Sequence, residues 1–427
     1  MMKTKIIFIV IVTIISPLTT MALNLPENGD TLNLQQCIAI ALQKHACLKS
    51  SAGTIKVNES KIGQVKANYY PQINWSTSYQ KIGSTSPHGS STDSNNQYST
   101  DVKLGITLFD FGKTSTQVRI QNLTLNASRF DFDDVTAQVV LNVKNAYYNL
   151  LQTQRNLEVA VDTMNQFQQH LDQAKAFFRI GTKPKFDVTK AEVDLGNTRL
   201  NFMKAKSFLR IALITLKNAM GIPENADFTI IDNLDFEKSD LKLNDVLNMA
   251  YANRPNLQSL IAKRDASELS IDLARMNYFP ILSGIAEYGH SGTDFPLDNS
   301  WNIGATLSFP LFTGQSTKYQ IDEAMANLEV IKANEDIIRQ EIFLYVQQSY
   351  VNVQDAAEQI SVAKMTVIQA KENYNIASGR YRMGMGSPIE VADATITLNN
   401  ARATLNSALY NYKTAQAALE NAMGAKP

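Results

Sequence analysis

The chain has 427 residues, and its 40 basic and 40 acidic side chains cancel to a formal net charge of zero. This balance gives no electrostatic basis for nucleic-acid binding, and the length is ample for a large core. Cys37 and Cys47 are the only cysteines, and both fall in one predicted helical stretch. We interpret them as free thiols, because a disulfide would require the helix to break between them.

Residues 1–22 have the pattern of a secretory signal peptide. Lys3 and Lys5 precede an apolar run over residues 6–15, and small residues end the segment at Ala22. No later segment approaches the ~18 uninterrupted apolar residues of a transmembrane helix. The protein is therefore expected to be exported, and any membrane insertion is expected to use β-strands.

Two stretches of more than sixty residues contain neither glycine nor proline, one between Gly112 and Gly181 and one between Gly314 and Gly379. Alanine, leucine, glutamine, asparagine, lysine and glutamate dominate them, and apolar positions recur at threes, fours and sevens. Each stretch predicts a helix about 100 Å long, which no compact globular domain needs.

The predicted elements form two similar halves. Asn218-Ala219-Met220-Gly221 returns 203 positions later as Asn421-Ala422-Met423-Gly424, and a period of this size indicates a duplicated half-structure. The first repeat, 23–221, comprises helices 34–67, strands 72–79 and 98–109, long helix 113–179 and helix 186–220. A linker over 222–240 follows. The second repeat, 241–424, comprises helices 243–276, strands 281–288 and 301–312, long helix 315–378 and helix 389–423, and 425–427 form a short tail.

The strand segments alternate between apolar and polar residues, as the strands of a membrane barrel do. Four strands cannot close a barrel, so insertion would require oligomerisation; ordinary soluble hairpins are the alternative. Both tryptophans lie on these strands, which suits an interfacial aromatic girdle. The residues expected to face lipid are Trp75, Leu104, Ile106, Trp301, Ile303 and Leu307.

Each long helix is expected to reverse direction at a glycine. The two reversals contain Arg179, Ile180, Gly181 and Thr182 in the first repeat, and Arg382, Met383, Gly384 and Met385 in the second. Acidic residues follow at Asp187, Glu390 and Asp393. A capping box over residues 387–390 is an equal explanation for Glu390, whereas Asp393 lies one turn beyond the reach of a cap.

Several motifs occur twice and in the same order. They are a Leu-x-Leu helix start, a Tyr-x-Pro or Phe-Pro element before a strand, a Leu-Phe strand exit with a following glycine, an Arg-x-Gly turn followed by Asp-Val or Glu-Val, and an Ala-Met-Gly helix end. Together they resemble the TolC-type outer membrane efflux proteins. The resemblance implies a mainly α fold with membrane β-barrel strands. Three copies would form a 12-stranded outer membrane β-barrel that continues into a long periplasmic α-helical barrel.

The same resemblance implies a function and partners. The homotrimer would conduct substrates passively from an inner-membrane pump of the RND, ABC or MFS type, through a periplasmic adaptor protein, in tripartite efflux or type I secretion. The two reversals would dock the adaptor. Asp187, Tyr381, Glu390 and Asp393 would form the periplasmic gate, with a hydrogen bond from Tyr381 to Asp187. Gly386 stands where the best-known member has arginine, which puts the strength of the gate in doubt.

Nothing in the sequence points to an enzyme, a metal site or a cofactor. The four histidines, His45, His88, His170 and His290, are scattered over different elements without metal-ligand spacing. The alternative function is a secreted helical pore-forming or structural protein, which fractionation would place in the medium. The transported substrate and the class of pump stay open.

Overall fold

The computed structural model describes residues 30–85, 92–223, 226–232, 234–237 and 242–425; the predicted signal peptide and the last two residues of the tail lie outside these ranges. The elements in chain order are β1 (Asp30–Leu32), α1 (Leu34–Lys44), α2 (Ala46–Lys66), β2 (Gln72–Thr85), β3 (Thr92–Phe109), α3 (Lys113–Arg179), α4 (Lys185–Met220), β4 (Phe228–Ile230), α5 (Leu243–Asn253), α6 (Pro255–Arg275), β5 (Ile281–Gly292), β6 (Asp298–Ser308), α7 (Ser316–Arg382) and α8 (Pro388–Ala422).

The two long helices, α3 and α7, have 67 residues each, which corresponds to about 100 Å. The prediction for α3 is confirmed to the residue. The predicted end of α7 at residue 378 is wrong, because the helix continues through Gly379 to Arg382. A glycine inside a helix costs only about 1 kcal/mol, and the buried Tyr381 in the last turn offsets that cost by packing.

The long helices lie side by side with the shorter ones in a single layer. At the end distant from the sheet, α3 contacts α4 on one side and α8 on the other, and α8 contacts α7. The lateral order is therefore α4, α3, α8, α7. At the end near the sheet, α2 and α6 replace α4 and α8 in this order. Each half of the chain thus supplies one long helix and two shorter ones stacked beside it.

Polar side chains fix how α3 and α8 align. Gln152 donates to Ser407 at 2.9 Å, and Asn406 donates to Asn156 at 3.0 Å. Lys144 forms an ion pair with Glu420 at 2.6 Å, nearer the sheet. Partly buried amides of this kind select one register, since a shifted helix would leave them without partners. The Asn and Gln side chains of these contacts therefore serve helix alignment.

The four strands form one antiparallel sheet in the order β2-β3-β5-β6. The strands are longer than predicted at their hairpin ends, reaching Thr85 and Gly292. The predicted strand over 301–312 is wrong beyond Ser308, since Pro310 lacks the N–H group that a ladder needs. Among the helices in the described ranges, none combines the length and apolar character that a bilayer crossing requires.

Helices α1 and α5, strands β1 and β4 and residues 231–232 and 234–237 pack around the middle of the long helices. We call this group the belt. Strand β4, within the predicted linker, pairs in parallel with β1, a pairing that the sequence analysis did not predict. Tyr147 of α3 donates to the carbonyl of Ile231 at 2.6 Å, and Tyr412 of α8 donates to that of Glu237. The linker is therefore anchored to both halves of the chain.

Both cysteines are free, as predicted, although the helix does break between them at His45. Cys37 is fully buried in the belt, and burial raises the pKa of its thiol to about 12. The thiolate is the reactive form, so Cys37 is chemically inert and acts as a small core side chain.

Candidate functional site

The sheet has one continuous apolar face. Directly paired residues of an antiparallel sheet point to the same side, and the pairing produces two apolar rows. The first consists of Trp75, Val102, Tyr288 and Trp301, and the second of Ile73, Leu104, Ala286 and Ile303. Ile106 and Leu307 lie on the same face. All six residues predicted to face lipid therefore share one surface.

This apolar face is exposed in the single chain. The exposed fractions are 73% for Trp75, 75% for Trp301 and 65% for Leu307. The exposed Phe309 lies eight positions after Trp301, just past the end of β6, which corresponds to about 26 Å of extended chain. Phe111 contacts both Phe109 and Phe279 at the end of the sheet next to the helices. Aromatic levels thus lie above and below an aliphatic band, as in proteins that contact both interfaces of a bilayer.

The opposite face of the sheet is polar. Asn74, Lys103, Glu287 and Asn302 form one row across all four strands. Ser76 donates to the carboxylate of Asp101 at 2.8 Å on the same face. Charged and hydroxyl groups in this density favour water, so the two faces of the sheet suit different environments, one aqueous and one apolar.

At the other end of the molecule, both helical hairpins reverse at the predicted glycines. Gly181 and Gly384 have φ of +79° and +78°, values that L side chains rarely adopt. Thr182 donates to the carbonyl of Phe177, and Met385 donates to that of Arg380, each at 3.0 Å. These are the bonds of a Schellman cap, so the reversals form as the sequence predicts. We refer to residues 179–187 and 381–393 together as the tip.

The outer surface of the tip combines apolar and basic side chains. Ile180, Phe186, Met383 and Met385 are all more than half exposed. Arg179, Lys185 and Arg382 lie exposed among them. Exposed apolar patches of this kind are uncommon on monomeric proteins in water. The mixture of apolar side chains with arginine is typical of a surface that contacts another protein.

The carboxylates of the tip occupy two environments. Asp187 and Glu390 are equivalent in the two repeats, yet Asp187 is only 7% exposed whereas Glu390 is exposed. Ser387 caps α8 by accepting from the N–H of Ile389 at 3.2 Å. The predicted return bond from Glu390, which would complete a capping box, is not formed within the described chain. The structural contribution of Glu390 is therefore limited to its charge in the first turn of α8.

Asp393 begins a stripe of small polar side chains along α8. Asp393, Thr397, Asn400, Thr404, Ser407 and Asn411 follow one another at alternate steps of four and three, so they share one helix face. The stripe extends for about 27 Å, and the exposed Ile396 borders it near its start. Asp393, Thr397, Asn400 and Thr404 are exposed. This face is suited to water and dissolved solutes.

The predicted hydrogen bond between Tyr381 and Asp187 is wrong for this structure. The Tyr381 side chain is 1% exposed, and its hydroxyl has no hydrogen-bond partner among the described residues. The ring instead lies between two rings of α3, 4.9 Å from His170 and 5.6 Å from Phe177. Tyr381 thus connects α7 to α3 by ring packing.

This contact reaches across α8, which lies between the two long helices. Val391 and Ala394 of α8 pack around Tyr381, and their small size lets its ring pass. Gly386 lies directly against the backbone of Tyr381: an added Cβ would be 2.9 Å from its amide nitrogen. A side chain at this position would therefore not fit without a shift of the turn.

His170 is the residue that the sequence analysis missed. In the sequence it is one of four scattered histidines, whereas in the structure it is 6% exposed and packs on Tyr381. Burial lowers the pKa of its imidazole, with Asp194 and Asp187 acting in the opposite direction. In the sequence, His170 lies seven positions before Phe177, so both side chains lie on one face of α3. This spacing could have indicated that they share a contact.

Comparisons with known proteins agree with this geometry. Residues 37–222 and 246–425 match the family described as "Outer membrane efflux protein". The chain is 24% identical over 414 residues to the outer membrane protein TolC of Escherichia coli K12, which covers 92% of this chain and 82% of that protein. It is 23% identical over 381 residues to the cation efflux system protein CusC of the same organism, covering 87% and 82%.

The fold is also shared with a solved structure, the CmeC outer membrane channel of Campylobacter jejuni. The superposition has a TM-score of 0.81 and covers 92% of this chain and 85% of that chain, at 19% sequence identity. The layer of paired long helices and the four-stranded sheet are therefore an established arrangement.

Proposed function

Because the chain belongs to the outer membrane efflux protein family, we propose that three copies assemble into a continuous export duct. The protein is an outer membrane channel for export. In the proposed assembly, the sheets join as a 12-stranded barrel in the outer membrane, and the helices form a tube across the periplasm. Substrates pass through it passively from an inner-membrane pump.

The observation that carries this proposal is that the sheet has two open edges. Its order is β2-β3-β5-β6, so β2 and β6 each lack a neighbour on one side within the described chain. Unpaired edge groups are not tolerated in the hydrocarbon of a bilayer. Pairing β6 of one copy with β2 of the next satisfies both edges, and three copies of four strands give twelve.

The helical layer, like the sheet, has two open edges, one on each side. Helices α4 and α7 lie at its two sides, and both carry exposed apolar residues along their length. On α4 these are Leu200, Met203, Phe208, Ile211 and Ile214, and on α7 they are Leu344, Val351, Val362, Met365 and Ile368. Packing α4 of one copy against α7 of the next covers both sets. One cyclic arrangement therefore closes the sheet and the helices together.

The tip is the proposed docking surface for a periplasmic adaptor. Its exposed apolar residues give the contact area, and Arg179, Lys185 and Arg382 favour acidic groups on the partner. The adaptor in turn joins the duct to a pump. Either drug efflux or type I secretion would use the same surface.

The assembly can be tested on protein extracted from the outer membrane with mild detergent. We expect about three times the mass of one mature chain by native mass spectrometry, because closure needs three sheets. We also expect an adaptor protein to co-purify after cross-linking. A folded monomer in the membrane fraction would contradict the trimer, and recovery from the culture medium would favour the secreted pore-forming protein.

A second prediction concerns ion selectivity at the tip. In the proposed trimer, Asp393 and Glu390 form stacked acidic rings in the lumen, and crowded carboxylates attract cations. We expect Asp393→Asn to reduce the cation-to-anion permeability ratio at least about twofold in planar bilayers at low salt, where screening is weak. Assembly should be unchanged, since Asp393 is exposed in the single chain.

Glu192→Gln is the matched control for this measurement. Glu192 is an exposed acid of α4 near the same height, and it is paired with Lys175 at 3.6 Å. We expect its removal to leave selectivity unchanged. Equal selectivity of wild type and Asp393→Asn would place the constriction away from this ring.

A further inference from the structure

We propose that His170 is a positioning residue of the periplasmic gate, and that its protonation releases Tyr381 and loosens the closed tip. This inference rests on the proposed channel function and adds a regulatory input to it. It makes the duct responsive to acid on its periplasmic side.

The first support is geometric. The ring of Tyr381 lies between His170 and Phe177, so α7 of the second hairpin is held by α3 of the first. Within the described chain, no hydrogen bond accompanies this contact at the Tyr381 hydroxyl or at His170 Nδ1, although both atoms are buried. The contact therefore depends on ring packing in a desolvated site, where an imidazolium would be buried without a hydrogen-bond partner at Nδ1.

The second support is the set of charges around His170. From α4, Asp194 and Asp187 favour its protonation, and Lys190 opposes it. Lys190 also pairs with Asp194 at 2.8 Å, which weakens the attraction of that carboxylate. From α7 the facing group is Tyr381, and the α8 residues of the adjoining clusters are Val391, Ala392 and Ala394, none of which ionises.

The direction of the pH effect follows from these terms. Burial lowers the pKa of His170 below its ordinary value of 6.5, so the closed arrangement binds a proton less readily than one in which His170 is hydrated. The contribution of this contact is complete above the ordinary pKa and is lost as the pH falls below it. Acidification of the periplasm therefore favours separation of α7 from α3.

The periplasmic face is the appropriate place for such a response. Histidine is the only side chain whose ordinary pKa lies between pH 5 and 8, and small changes in hydration shift its charge in that range. Three copies of the contact surround the lumen in the proposed trimer, so one pH change acts on all of them at once.

The test is a pH series of single-channel recordings on the intact trimer in planar bilayers. We expect the open probability of the wild type to rise at least about twofold between about pH 7.5 and pH 5.5. His170→Phe keeps a ring against Tyr381 but cannot be protonated, so its open probability should not change with pH. His170→Gln, which also cannot be protonated, serves if the phenylalanine variant does not assemble.

Two further variants separate this mechanism from general acid effects. Tyr381→Phe keeps the ring contact and His170, so it should retain the response. His45→Asn removes a histidine of the belt while keeping a good N-cap residue for α2, and it should also retain the response. A pH response that survives in His170→Phe or His170→Gln, or a wild-type channel without a response, would overturn the inference. Failure of the wild type to form any channel would overturn the proposed function and this inference with it.

Discussion

Replacing Leu307 with arginine is expected to abolish recovery of the assembled protein from the outer membrane. Leu307 lies on the apolar face of the sheet, 65% exposed and paired with Leu282. Leu307 lies two residues from Phe309 within the apolar band, and an arginine facing lipid costs between about 1 kcal/mol near the interface and about 2–4 kcal/mol at mid-bilayer per copy. A trimer bears this cost three times. Ile106 lies in the same row as Ala305, midway between the levels of Trp301 and Phe309, so Ile106→Arg should have a larger effect per copy. The measurement is the amount of trimer in detergent extracts of outer membranes.

Thr306→Arg is the matched control, since Thr306 is the adjacent residue of β6 and points to the polar face. It adds the same charge at the same height, but towards water, and trimer yield should stay near that of the wild type. Equal yields for Leu307→Arg and Thr306→Arg would show that the apolar face does not contact lipid.

The second large effect is expected where each repeat ends. Gly221 follows α4 with φ of +67°, and a Cβ there would be 2.9 Å from the Cα of His45. Gly424 follows α8 with φ of +66°, and a Cβ there would be 2.8 Å from the carbonyl carbon of Asn253. Both clashes are with backbone, at the junctions of α1 with α2 and of α5 with α6. The two halves of the chain thus repeat the same close contact.

Alanine at Gly221 or Gly424 therefore combines two penalties. The left-handed conformation costs an L residue about 1–2 kcal/mol, and the forced contact adds about 1–3 kcal/mol. We expect Gly221→Ala and Gly424→Ala each to lower the thermal unfolding midpoint of the detergent-purified protein strongly, or to prevent its recovery.

Gly181→Ala provides the comparison. Gly181 has φ of +79°, but no atom lies within 4 Å of its added Cβ, so this variant carries only the conformational penalty. A loss of stability equal to that of Gly221→Ala would show that the contact with His45 contributes nothing.

The long elements of this fold could be predicted because their signals are local. The absence of glycine and proline defines α3, and the alternation of apolar residues identifies the apolar side of the sheet. The same locality explains the errors. Pro310 ends a strand whose apolar pattern continues to Phe312, and Gly379 does not end α7 because packing of Tyr381 outweighs its low helix propensity.

The contacts that could not be predicted join distant parts of the chain. Strands β1 and β4 have three residues each, too few to show a periodic pattern, and their pairing spans 198 positions. The surroundings of Tyr381 depend on the lateral order of four helices, which no local pattern encodes. Resemblance supplied Asp187 as its partner, whereas the small residues of α8 lead its ring to His170.

The alignment of α3 with α8 determines when this protein can fold. Their polar contacts join residues between 233 and 276 positions apart, so α3 is synthesised long before its partner. Until α8 arrives, the amides and apolar residues that α3 presents to it are open to wrong pairing. Closing a loop of this length is slow, and intermediates with uncovered surfaces aggregate. A periplasmic chaperone that holds α3 during this interval would therefore raise the yield of the duct more than one that acts on the finished monomer.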